Sequence, residues 1–113
     1  MSDTIFAKII SGEIPAPKIF EDEHCIVIND IAPQAPVHVL VIPKQPIKML
    51  TDAESSDQSL LGHLLLVARQ QAKELGIAEG CRFIVNNGEA GGQTVFHLHI
   101  HVLGGQTLTE QGL

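Results

Sequence analysis

Apolar and polar positions along this chain repeat with two periods, about 3.6 and 2, and the switches between them predict where helices give way to strands. Ile5, Phe6, Ile9 and Ile10 fall on one side of a short helix over Thr4 to Ile10, which Ser11-Gly12 stops. Lys18 to Glu21 and Cys25 to Asp30 read as two short strands around a turn at Asp22-Glu23. Pro33 and Pro36 impose an irregular loop before a third strand, His38 to Ile42, which Pro43 closes. A long helix is expected over Ser55 to Leu75, with Asp52 or Ser55 as its cap and Gly76 as its stop. Arg82 to Asn86 and His97 to Leu103 complete the strands. Short connections make the pairing mostly antiparallel, so the pattern predicts an α+β fold: a sheet of about five strands with one long and one short helix.

The long helix carries more apolar surface than one sheet can cover. Leu60, Leu61, Leu64, Leu65, Leu66, Val67, Ala68 and Ala72 exceed a single stripe, and the surplus predicts a twofold homodimer. No repeat, low-complexity stretch or linker divides the 113 residues, so one domain is expected over 1–113. A net charge of −6, with seven scattered Lys and Arg, argues against nucleic-acid polymers and anionic membrane surfaces as partners. No stretch is long and apolar enough to span a bilayer, and Met1-Ser2-Asp3-Thr4 lacks the marks of a signal peptide, so a cytoplasmic location is expected. Cys25 and Cys81 sit in apolar runs and are expected to be reduced, buried and without chemistry.

Chemistry concentrates in the last predicted strand. His97, His99 and His101 alternate with Leu98, Ile100 and Val102, so in an extended chain three imidazoles share one face while the aliphatic residues fill the other. Imidazole titrates near neutrality and, when neutral, offers a nucleophilic or metal-binding nitrogen. His38 opens a second strand. Zinc ligation by these rings is the alternative use, although ligands two apart on one strand lie roughly 6 to 7 Å from each other, which strains a tetrahedral site. Ahead of the histidines, Asn86-Asn87-Gly88-Glu89-Ala90-Gly91-Gly92-Gln93-Thr94 combines glycine, amide and hydroxyl groups. That composition suits an anion cradle and equally an ordinary hairpin loop.

The run His97-Leu98-His99-Ile100-His101-Val102-Leu103 resembles the histidine-triad (HIT) signature. Its flanks, Asp3 to Ile10, Asp30 to His38, Val41 to Lys44 and Gly91 to Phe96, are similar to the Hint branch of that family, the purine nucleoside phosphoramidases, and the likeness runs from about Asp3 to Gly105. The resemblance implies a HIT-like fold and a homodimer that needs no cofactor or metal. It implies hydrolysis of purine nucleoside 5′-phosphoramidates at the P–N bond through a covalent nucleotidyl-histidine. His99 is then the nucleophile, His101 and His38 contact the phosphate and leaving group, and His97 orients the network. Asn86, Gln93, Thr94 and the backbone of Val95 correspond to phosphate contacts. Ile5, Phe6, Ile9, Ile14, Ile28 and Ile31 form the purine slot, and Asp30 accepts from the ribose hydroxyls. The implied partners are purine nucleoside monophosphates and phosphoramidates.

Two departures stand out: Thr94 where serine is common, and a short polar tail, Gln106 to Leu113, without tryptophan. His24 and His63 match no family position and are expected at the surface. Other functions compatible with the triplet are a dinucleoside polyphosphate hydrolase, a nucleotidyl transferase, or a nucleotide- or zinc-binding module without significant catalysis.

Overall fold

The computed structural model describes residues 3–112; Met1, Ser2 and Leu113, the outer ends of the domain expected over 1–113 and part of the segment tested for a signal peptide, lie outside the described residues. Helix α1 covers Ile5–Ser11. Thr4 caps it rather than joining it, because the Thr4 hydroxyl accepts the Ala7 N–H at 3.1 Å. At its other end Gly12 takes a left-handed φ of 85°. Strands β1 (Phe20–Glu21), β2 (Cys25–Asn29) and β3 (Val37–Pro43) form a meander, followed by α2 (Gln58–Glu74), β4 (Cys81–Ile84) and β5 (Ile100–Gly104). The sheet order is β1-β2-β3-β5-β4, with every neighbouring pair antiparallel. This is the α+β architecture the apolar pattern predicts. No helix of the described residues is long and apolar enough to cross a membrane.

Alternation along the strands gives the sheet two apolar faces. Ile26, Ile28, Leu40 and Ile42 meet Phe6 and Ile9 of α1 on one side. Cys25, Val27, Val39, Val41, Ile100 and Val102 meet Leu64, Val67, Ala68 and Ala72 of α2 on the other. Helix α2 therefore closes the larger core, while α1 covers only part of its own face.

Several boundaries differ from the sequence pattern, each for a local reason. The last strand begins at Ile100, so His97 and His99 precede it instead of belonging to it. In the β3/β5 register Val41 pairs with Ile100. Two steps further the partner of Leu98 is Pro43, which has no N–H to give. The Pro43 carbonyl is taken by His97 Nε2, and the Leu98 N–H donates to the Ile47 carbonyl at 2.7 Å. Strand β4 ends at Ile84, short of Asn86, because its partner begins only at Ile100. The α-helical part of α2 starts at Gln58, after a 3-10 turn over Ser55–Asp57. Neither Asp52 nor Ser55 caps it; the Asp57 carboxylate accepts the Glu54 N–H at 2.9 Å and tightens this entry. Gly76, with φ 77°, stops the chain beyond Leu75 as expected. Cys25 is fully buried and Cys81 only partly, both as free thiols. His63 is no free surface group: its half-buried ring lies 2.6 Å from Asp22 Oδ2.

Candidate active site

The sheet face that carries α1 opens, at its β5 end, into a cavity of about 290 Å³. Its walls are apolar: Ile5, Phe6 and Ile9 come from α1, Ile28 and Leu40 from the sheet, and Ile31 and Ala32 from the loop after β2. Ile31 is 95% exposed, an aliphatic side chain standing in solvent at the rim. His99, His101, Asp30, Thr94 and Val95 bring the polar groups. Ile14 is not at the wall; it packs behind α1 against the Phe6 and Ile9 cluster.

Each histidine is held through a different partner, and the partners assign the hydrogens. His99 Nδ1 lies 2.7 Å from the His97 carbonyl, an oxygen that can only accept, so Nδ1 carries the hydrogen and Nε2 keeps its lone pair. His97 Nε2 donates to the Pro43 carbonyl at 2.7 Å, which bolts the residue to the end of β3. Its Nδ1 is buried with no hydrogen-bond partner among the described residues. In His38, Nδ1 accepts the Gln34 N–H at 3.0 Å, so Nε2 carries the hydrogen. That hydrogen faces His101 Nδ1 at 2.9 Å and Asp30 Oδ2 at 3.3 Å. With Nδ1 accepting, the hydrogen of His101 sits on Nε2. His99 and His101 thus present opposite tautomers, one basic nitrogen and one N–H, from rings 5.0 Å apart.

Burial shapes the electrostatics. Desolvation lowers the proton affinity of His99, against the His97 carbonyl bond and the Asp30 charge, which raise it. Burial likewise lowers His97. His101 is lowered to about 4, by burial first and then by the neighbouring His99 and His38, with Asp30 opposing. Phe6 packs edge-on against His99, with centroids 5.0 Å apart, and closes the ring off from water on that side.

The loop from Asn86 to Thr94 is braced from within. The buried Gln93 carboxamide accepts the Gly88 N–H at 2.8 Å and donates to the carbonyls of Lys48 (2.7 Å) and Val95 (3.0 Å). Asn86 Nδ2 donates to the Gly91 carbonyl at 2.9 Å. Left-handed Gly88 and Gly92 make the bends, and Thr94 emerges exposed at the cavity. Gln93 and Asn86 therefore hold the loop, while Thr94 and Val95 meet the cavity.

Sequence reasoning missed Leu40, Asn29 and Ala32 in the wall and Gln34 behind His38. Leu40 had a readable signal, lying in phase with His38 on the same strand. The Gln34 N–H had none, since every residue but proline carries one.

Known proteins resemble this chain closely. A HIT domain pattern matches residues 11–108. An uncharacterised HIT-like protein of Synechococcus elongatus is 58% identical over 106 residues, covering 94% of this chain and 93% of the relative. The crystal structure of a histidine triad nucleotide-binding protein from Candida albicans superposes with a TM-score of 0.81 at 32% identity, covering 96% of this chain and 85% of that one. A HIT family hydrolase from Clostridium thermocellum superposes with a TM-score of 0.94 at 46% identity, covering 100% of this chain and 99% of that one. Identity of this order over nearly the whole of both chains, on a superposable fold, makes this chain a member of the HIT domain family.

Proposed function

We propose that this chain is a cytoplasmic purine nucleoside phosphoramidase of the Hint branch, hydrolysing the P–N bond of nucleoside 5′-phosphoramidates through nucleotidyl-His99. The observation that carries this reading is the pair of opposite tautomers facing one apolar cavity: a lone pair on His99 Nε2 beside an N–H on His101. The hydrolase and nucleotide-binding relatives support it.

The purine lies between Ile5, Phe6, Ile9, Ile28 and Ile31, with Ile14 backing the slot. Asp30, whose Oδ1 already accepts the Ala32 N–H at 2.9 Å, turns its remaining lone pairs to the ribose hydroxyls. The phosphate sits by Thr94 and Val95, on the loop that Asn86 and Gln93 brace. A phosphate anion beside His101 favours that ring's protonated form; the added proton takes Nδ1, the His38 Nε2 hydrogen turns from it to Asp30 Oδ2, 3.3 Å away, and His101 enters the reaction as imidazolium. His99 Nε2 attacks the α-phosphorus and the P–N bond breaks. The leaving nitrogen takes the proton of His101. Neutral His101 then accepts a proton from water as its oxygen attacks phosphorus, which releases the nucleoside monophosphate and restores His99. The His97 carbonyl keeps the His99 hydrogen on Nδ1 throughout, and His38 with Asp30 steadies the charge on His101.

The test is intact-protein mass spectrometry after brief mixing with an adenosine 5′-phosphoramidate, using wild type and His101→Ala to slow the second step. One adenylate mapped to His99, and no turnover by His99→Ala, is the expected result. Full activity of His99→Ala overturns the mechanism. We also infer that the chain works as a homodimer, since Leu50, Leu65 and Phe83 are 41%, 57% and 48% exposed near the α2 side of the sheet.

A further inference from the structure

On the side of the sheet away from the cavity, the β1–β2 turn meets α2 through a cluster that the catalytic reading leaves unused. Asp22 closes the turn: its Oδ1 accepts the N–H groups of His24 (2.8 Å) and Cys25 (2.9 Å), while Oδ2 lies 2.6 Å from His63 Nε2. Cys25 directs a fully buried thiol into the same place, so that one donor atom each from Asp22, Cys25 and His63 lie within 4.8 Å of one another. His24 stands beside them, its ring 5.1 Å from that of His63. The His24 side chain is half-exposed, paired outward with Glu23 at 3.1 Å, and nothing buried ties it down. An open depression lined by His24, His63, Gln45 and Asp57 gives solvent a route to the rings.

We propose that Asp22, Cys25 and His63, with His24 rotated inward as the fourth ligand, bind a zinc ion that staples the β1–β2 turn to α2. A thiolate, imidazoles and a carboxylate from four residues are the donor set that zinc takes tetrahedrally, whereas calcium and magnesium take oxygen alone. Bonds of about 2.0 to 2.3 Å place tetrahedral donors roughly 3.3 to 3.7 Å apart, so Asp22 Oδ2 and His63 Nε2, now 2.6 Å apart, part to admit the ion between them and the sulfur. Asp22 and His63, both partly exposed, move by side-chain rotation towards the fixed sulfur. Without metal, the cluster is held by protons around Asp22. Zinc takes Cys25 as the thiolate, and the thiol proton passes to solvent. None of the four residues belongs to the phosphoramidate site, and Cys25 lies on the opposite sheet face from His99 and His101.

The competing cluster is Asp30, His38 and His101, and cobalt separates the two because only the proposed site offers sulfur. Tag-free full chain, stripped with chelator, is titrated with zinc by calorimetry and with cobalt by absorption. One zinc per chain, with a near-ultraviolet thiolate-to-cobalt band, is the expected result. Cys25→Ser and His63→Gln should abolish that band and weaken zinc by more than the 10- to 100-fold, or about that, seen when a supporting residue is lost. His101→Gln should keep both. If Cys25→Ser does not fold, His63→Gln, altered at a half-exposed helix position, carries the test. Absence of the sulfur band, or zinc that is lost with His101→Gln and kept with His63→Gln, overturns the proposal.

Discussion

A single backbone carbonyl decides which nitrogen of His99 keeps its lone pair, and a single backbone N–H, that of Gln34, decides the same for His38 and through it for His101. These choices are made by groups that every residue carries, so the sequence advertises the imidazoles and hides what orients them. The triplet, His38 and Asp30 were legible because they are chemically unusual in aliphatic runs; the Pro43 and His97 carbonyls were not. The same burial has a cost in acid. Rings whose proton affinity is lowered on folding take up protons later than the unfolded chain as pH falls, so their contribution is complete above the ordinary value of 6.5 and is lost as pH drops through the window towards about 4. His97 and His99 act in the same direction. Urea unfolding should therefore show a loss of about 2 kcal/mol from His101 between roughly pH 7 and roughly pH 5. His101→Gln should flatten that slope, and a stability that is level or rises towards acid would contradict the assignment.

At the scale of elements, period alone located both helices and all the strands, but it misjudged where they end. The reason is that an end is set by a neighbour: β5 starts at Ile100 because Pro43, opposite Leu98, has no N–H for the Leu98 carbonyl and gives its own carbonyl to His97 Nε2. Close approach is equally invisible in a pattern of apolar positions. Gly104, in the last position of β5, has space for no side chain, since a Cβ there would stand 3.0 Å from the Gly80 carbonyl oxygen and 3.2 Å from the Cβ atoms of Cys81 and Ile77. Gly104→Ala is expected to cost about 1 to 3 kcal/mol. Gly62, on the exposed side of α2 with nothing within 4 Å, makes the contrast: Gly62→Ala should stabilise by about 1 kcal/mol. Chemical denaturation of both variants reads the two signs, and equal effects would mean that the contact at Gly104 does not matter.

For the whole molecule, the sheet is a partition. The α2 side is core with an apolar groove at its β4 end, and the α1 side is core at one end and candidate active-site cavity at the other. The excess of leucine on α2 was legible as a surface in want of a partner, and Leu65 and Leu66 do stand 57% and 53% exposed. Sequence cannot say which of them a second copy covers, because both lie outside the stripe that the sheet takes. The groove between Leu50, Leu61, Leu65 and Val85, beside the edge strand β4, is where the proposed homodimer would pair. Leu65→Glu should convert a dimer to monomer in sedimentation equilibrium while leaving the circular dichroism of the fold unchanged. A wild-type chain that sediments as a monomer would remove the dimer from the picture.

The buried, unpartnered Nδ1 of His97 bears on how the signature itself is read. One residue spelled with the same letter as its neighbours is a bolt, joined to Pro43 by one nitrogen and idle at the other, while His99 and His101 are the reagents of the proposed mechanism. The proposed chemistry needs two imidazoles from this run and only a hydrogen-bond donor in the third place. A chain that carried a different donor there would look broken to a search for three evenly spaced histidines and would still be whole in three dimensions.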